Sequence, residues 1–61
     1  METAIRARLA AGEWQPEQRM PSVAEFAVQY NVSRSAVASA LRRIADNGLI
    51  EIVPQWGTFR K

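Results

Sequence analysis

The feature that most constrains this chain is a pair of helical stretches separated by only two residues, each with its own start and stop signals. Pro21 blocks an earlier helical start, and Ser22 opens the first of the pair. A serine hydroxyl at that position accepts from first-turn amides, and Glu25 three residues on completes a capping box. Val23, Phe26, Ala27 and Tyr30 follow at i, i+3, i+4 and i+7, an apolar stripe of helical period. Asn31 is suited to the left-handed conformation that ends a helix. Ser33 opens the second of the pair after only Asn31 and Val32. Val37, Leu41 and Ile44 make its apolar face, with Ala40 and Ala45 as small neighbours, and Asn47-Gly48 stops it. With so short a joint the two helices must cross closely, which is the pattern of a helix-turn-helix.

The flanks complete a small architecture. Thr3 to Ala11 is rich in helix formers, with Ile5 and Leu9 on one face and Gly12 to end it. Glu13 to Pro21 holds two prolines and reads as an irregular connection, with Trp14 packing on the core. Leu49 to Val53 is β-prone, Pro54 to Gly57 reads as a turn, and Thr58 to Arg60 as a returning strand. A lone hairpin is marginal in water, so this one is expected to pack on the third helix as a wing. The expected fold is mainly α with a small β-hairpin: a winged helix-turn-helix of three helices plus wing, one domain over residues 1–61.

At 61 residues, with no cysteine for a disulfide and no histidine for a zinc site, the domain has no staple. Part of its stability is therefore expected from a partner, whether a second copy, a further domain or the bound ligand. The absence of His and Cys, a single lysine and six scattered acids leave few general bases or nucleophiles, so no enzyme activity, cofactor or metal is expected. No apolar run reaches the roughly 20 residues of a membrane span, and Met1-Glu2-Thr3 lacks the character of a secretory signal. A bacterial cytoplasmic, nucleoid-associated location is the expectation.

The net charge of +2 says less than its distribution. No acid lies between Glu25 and Asp46, while Arg34, Arg42 and Arg43 fall in that gap. A surface cleared of carboxylates suits phosphate, and it is also compatible with an ordinary solvated helix face. The third helix, Ser33 to Asn47, is the expected recognition helix, entering a major groove by its N-terminal end. Arg34 can donate two parallel hydrogen bonds to guanine, and Ala38, Ser39 and Arg42 extend the exposed face. Ser33 reads either as a cap alone or as a cap that also touches DNA. Arg43, adjacent to Arg42, faces elsewhere, as a surface residue or a salt-bridge partner. Trp56 reads equally as an apolar cover over the hairpin or as a wing-tip group on the sugar-phosphate edge.

Pro21-Ser22, the run Tyr30 to Val37, Ala40-Leu41, Ile44, Gly48-Leu49-Ile50 and Gly57-Thr58-Phe59 together resemble the DNA-binding domain of the GntR family of bacterial regulators. The likeness runs from about Gly12 to Phe59. It implies a winged helix that binds a palindromic operator as a homodimer, repressing transcription more often than activating it. It implies base or phosphate contacts from Ser33, Arg34, Ser35 and Ala36, a phosphate contact from the hydroxyl or amide of Ser22, and approach of Gly57 and Thr58 to the backbone or minor groove. Apart from the resemblance, Arg60, one of the two basic residues that close the chain, is a candidate phosphate contact of the wing, residues 49–60. The chain departs from the family at Glu17, where glycine is frequent, at Ala24 and Ala38, where arginine is common, and at Gln55-Trp56, where the first wing glycine is lost. Family members also carry a C-terminal domain that binds an effector and dimerises the protein, and this chain stops just past the wing. Two other functions stay open on sequence: an accessory DNA-binding factor in recombination, partition or replication, and a winged helix that binds protein.

Overall fold

The computed structural model describes all residues from Met1 to Lys61. Its elements are α1 (Glu2–Ala10), α2 (Val23–Tyr30), α3 (Arg34–Asp46), β1 (Ile50–Val53) and β2 (Gly57–Arg60). The helices start and stop where the sequence punctuation places them. Ser22 caps α2 in a full capping box with Glu25, and the Ser33 hydroxyl caps α3 by accepting from the Ala36 N–H. Each helix is closed off by a residue of positive φ: Asn31 at 54° is itself the cap of α2, whereas Gly12 at 79° and Gly48 at 78° follow the caps of α1 and α3 by one residue. After α2, the Val32 N–H reaches back to the Ala27 carbonyl at 3.1 Å and the Asn31 N–H to Val28 at 3.3 Å, satisfying carbonyls a bare helix end would leave open.

The core is one cluster drawn from the three helices, β1 and the long connection: Ile5 and Leu9 of α1, Phe26 of α2, Val37, Leu41 and Ile44 of α3, Ile50 of β1, and Trp14 and Met20 from the connection. Phe26 is its hub. The Trp14 ring meets it edge-on at 6.2 Å between centroids, and Tyr30 stands at 6.1 Å. Such aromatic pairs add about 0.5–1.5 kcal/mol each beyond the area they bury.

Ion pairs lock α1 onto the helix pair. Arg8 donates to both oxygens of Glu13, to Gln29 at 3.1 Å and to the Tyr30 hydroxyl at 3.0 Å, with its guanidinium 4.7 Å above the Trp14 ring. The bond to Glu13 raises the Arg8 pKa further above its ordinary value, and Arg8 in turn lowers that of Glu13. Glu2 accepts from Arg43 at 2.6 Å and from Arg6 at 3.2 Å, tying the start of α1 to α3. Arg43 is thus a salt-bridge partner, one of the two roles open to it on sequence.

The hairpin pairs antiparallel, with Ile50 opposite Arg60 and Val53 opposite Gly57, so Gly57 belongs to the strand rather than to the turn. The main departure from expectation is in the connection. Residues 18–20 run along the free edge of β2: the Met20 N–H donates to the Thr58 carbonyl at 2.7 Å, the Arg60 N–H donates to Gln18 at 3.0 Å, and Arg19 faces Phe59 as a bridge. The hairpin is therefore supported on its outer edge as well as by α3, which answers the marginal stability of two strands alone.

Candidate nucleic-acid interface

Two surfaces carry the residues singled out from sequence. The first is the outer face of α3. Its buried side is Val37, Ala40, Leu41 and Ile44, and the helical period turns Ser35, Ser39 and Arg42 away from the core, all exposed. Arg34 is exposed at the first turn, and Ala36 and Ala38 are half-buried beside it. Neither Arg34 nor Arg42 makes an ion pair or side-chain hydrogen bond within the chain, whereas Arg6, Arg8 and Arg43 are all paired. The Ser33 hydroxyl oxygen accepts from Ala36 at 3.2 Å, which leaves its own proton free to donate outward.

The second surface is a concavity between the start of α2 and the hairpin tip, lined by Arg19, Ser22, Val23, Gln55, Trp56 and Gly57 among others. Ser22 has only its hydroxyl to offer at this surface. Its backbone N–H donates to the Glu25 carboxylate at 3.1 Å, so the amide route to a phosphate is closed while the capping box stands. The bond to Ser22 holds the Glu25 carboxyl below its ordinary pKa, so it stays ionised and keeps that grip. Trp56 is 71% exposed at the hairpin tip, which excludes its reading as an apolar cover. Gln55, at φ 71°, makes the turn that presents it.

Two residues have little to offer at these surfaces. Thr58 borders the concavity but is only 4% exposed, so its side chain has almost no surface to present. Arg60 lies at the base of the hairpin and donates to the Trp14 carbonyl at 2.7 Å, tied to the core rather than extended toward the tip. One residue was missed on sequence. Arg19 is exposed, and its guanidinium lies against Gly57 in the concavity. Its one sequence signal is that it is the sole cation between Arg8 and Arg34. No cluster of His, Cys, Asp or Glu capable of holding a metal is present, and no helix is long and apolar enough to cross a membrane.

The family described as "Bacterial regulatory proteins, gntR family" matches residues 1–59, nearly the whole chain. The chain belongs to the GntR family. Among curated relatives, this GntR domain is 37% identical over 59 residues to the histidine utilization repressor of Klebsiella aerogenes, covering 97% of the chain and 24% of that protein. It is 34% identical over 55 residues to the HTH-type transcriptional repressor NagR of Bacillus subtilis, covering 90% of the chain and 23% of the relative. It thus spans about a quarter of the length of these relatives. A solved GntR family transcriptional regulator from Listeria monocytogenes superposes with a TM-score of 0.92 over 98% of the chain and 53% of that protein, at 18% identity. That match establishes the winged helix-turn-helix fold. The relatives are transcription regulators rather than enzymes, in keeping with the poor supply of catalytic side chains.

Proposed function

We propose that this GntR domain binds double-stranded DNA in a sequence-specific way to control transcription, as a repressor on a palindromic operator and as a homodimer. In this reading α3 enters the major groove. Arg34 reads a guanine by two parallel hydrogen bonds, Ser33, Ser35 and Arg42 meet phosphates or base edges, and the small Ala36, Ala38 and Ser39 admit close approach to the bases. Ser22, through its hydroxyl, and the wing tip with Trp56 and Gly57 rest on the sugar-phosphate backbone or in the minor groove. Thr58 and Arg60 shape and anchor the wing.

The observation that carries the proposal is the unpaired state of Arg34 and Arg42 on an exposed helix face that has no acid between Glu25 and Asp46. The chain pairs Arg6, Arg8 and Arg43 with carboxylates and leaves these two on α3 open, which favours a polyanionic partner over an apolar or basic protein surface. The repressor role rests on relatives that are themselves named repressors. In a longer polypeptide like those relatives, effector binding and dimerisation would lie outside these residues. A cytoplasmic location follows from the proposed target.

Selection of tight binders from randomised duplex DNA tests this directly. Two half-sites of two-fold symmetry, about one or two helical turns apart, are the expected result. Weak, salt-sensitive binding with no enriched sequence refutes sequence-specific reading. No binding at low salt refutes DNA as the partner.

A further inference from the structure

The wing has a charge deficit that the rest of the fold corrects. From Glu51 to Phe59 the chain holds no lysine or arginine and one acid, Glu51. A hairpin so composed gains nothing from a phosphate backbone and is weakly repelled by it. Yet the concavity beside its tip does contain a guanidinium, supplied from the neighbouring segment. The backbone pairing of Arg19 with Phe59 fixes that residue along the edge of β2. Its side chain then crosses the face of Gly57 so closely that a Cβ on residue 57 would stand 3.0 Å from Arg19 Nε and 3.5 Å from Nη2. Gly57 also has φ 121°, which only glycine adopts without strain. The missing side chain at 57 is thus the seat of the Arg19 guanidinium.

Arg19 makes no side-chain hydrogen bond or ion pair in the chain. Glu25, close enough to feel its charge, has its carboxylate turned to the Ser22 N–H at 3.1 Å. The guanidinium is therefore placed by packing, exposed, and unspent. Beside it stand the Ser22 hydroxyl and the Trp56 ring.

We propose that Arg19 is the wing's phosphate-binding cation, gripping a backbone phosphate of duplex DNA from the groove between α2 and the hairpin tip, with Gly57 as its seat. This rests on the duplex-binding function proposed above. A planar guanidinium suits the task because it can meet two phosphate oxygens at once. Being seated on rigid backbone, it loses little side-chain freedom on binding.

The test is a salt titration of binding, followed by fluorescence anisotropy, on the selected operator and on a scrambled duplex, for the native chain, Arg19→Gln and Arg19→Lys. Arg19→Gln is expected to lose, per bound domain, about one unit of the log–log salt slope and about fivefold in affinity near 0.15 M salt, equally on both duplexes. Arg19→Lys should keep the slope, since it keeps the charge. The residue is exposed, so unchanged melting curves are expected for both variants. A slope unaltered in Arg19→Gln, on a duplex the native chain binds, overturns the proposal alone. A loss confined to the operator also overturns it, because that pattern marks a base contact. Failure of the native chain to bind any duplex would remove the function on which it rests.

Discussion

Ser33 sits where folding and recognition meet, and replacing it separates the two. Its hydroxyl accepts from the Ala36 N–H at 3.2 Å at the exposed start of α3. Ser33→Ala removes that cap, at a cost of about 1 kcal/mol, whereas Ser33→Gly costs only a few tenths. For 61 residues, total stability is on the order of 3–9 kcal/mol, so both variants remain folded at room temperature. Calorimetry should place Ser33→Ala about 4–8 °C below the native Tm and Ser33→Gly much closer to it. Binding should behave differently. If the hydroxyl proton donates to a phosphate, either substitution removes a hydrogen bond to a charged group, worth about 1.5–3 kcal/mol, or roughly 10- to 150-fold in Kd per half-site. A destabilisation of about 1 kcal/mol leaves nearly all molecules folded and cannot produce that loss. Equal losses of affinity in Ala and Gly, despite unequal Tm, are therefore expected from gel-shift titration. Affinities that track Tm, or do not change, would reduce Ser33 to a cap. An unchanged Tm in Ser33→Ala would refute the cap itself.

Three other outcomes follow from the same geometry. Arg34→Ala should leave Tm unchanged, because Arg34 has no partner in the chain, and weaken operator binding by about 1–3 kcal/mol per half-site while relaxing preference at one base pair. Unchanged operator affinity would defeat the assignment of α3. Arg60→Ala should lower Tm through loss of its bond to the Trp14 carbonyl and leave the salt slope of DNA binding intact, and a lowered slope in binding titrations would return Arg60 to the interface. In pH-dependent melting, Glu2 and Glu13, both held below the ordinary carboxyl pKa of 4.5 by Arg43 and Arg8, contribute stability that is complete above that value and is lost as pH falls through their lowered folded-state values. With no histidine to titrate, Tm should stay nearly level between about pH 5.5 and 8 and then decline in acid, whereas a pronounced step near neutrality would contradict the reading.

What was legible in the sequence was what depends on neighbours along the chain. Caps and stops act over three to five residues, so Ser22 with Glu25, Asn31, Ser33 and Asn47-Gly48 gave the helix-turn-helix with its boundaries. The periodic apolar positions gave most of the core for the same reason. What stayed hidden depends on contacts between distant segments. Residues 18–20 carry no strand alternation and stand between prolines, and they become an edge only because β2 offers unpaired carbonyls and amides some forty residues later. Met20 is drawn into the core and Arg19 to the wing by that pairing. Alternation misleads in β2 as well. Thr58, the polar residue, is buried, while Phe59 remains partly exposed. Arg60 could be counted as a cation but not followed to the Trp14 carbonyl that holds it.

The division of the cations shows why net charge was a weak guide and pairing a strong one. Arg6, Arg8 and Arg43 are bound to carboxylates and Arg60 to a carbonyl; Arg6 pairs within α1, and the other three tie α1, the long connection and the wing to the body of the domain. A guanidinium already holding a carboxylate must break that pair, or share it, before it can meet a phosphate, so its attraction for a polyanion is largely cancelled. Arg19, Arg34 and Arg42 have no such commitment. Two lie on the outer face of α3 and the third beside the hairpin tip, the two elements that a winged helix brings to a duplex. Of the acids, Glu2 and Glu13 are spent on the structural arginines and Glu25 on the cap of α2. The free positive charge is thus larger than the formal +2 suggests near the proposed interface. A domain so small can be held together by arginine and still present arginine, provided that different arginines do each task.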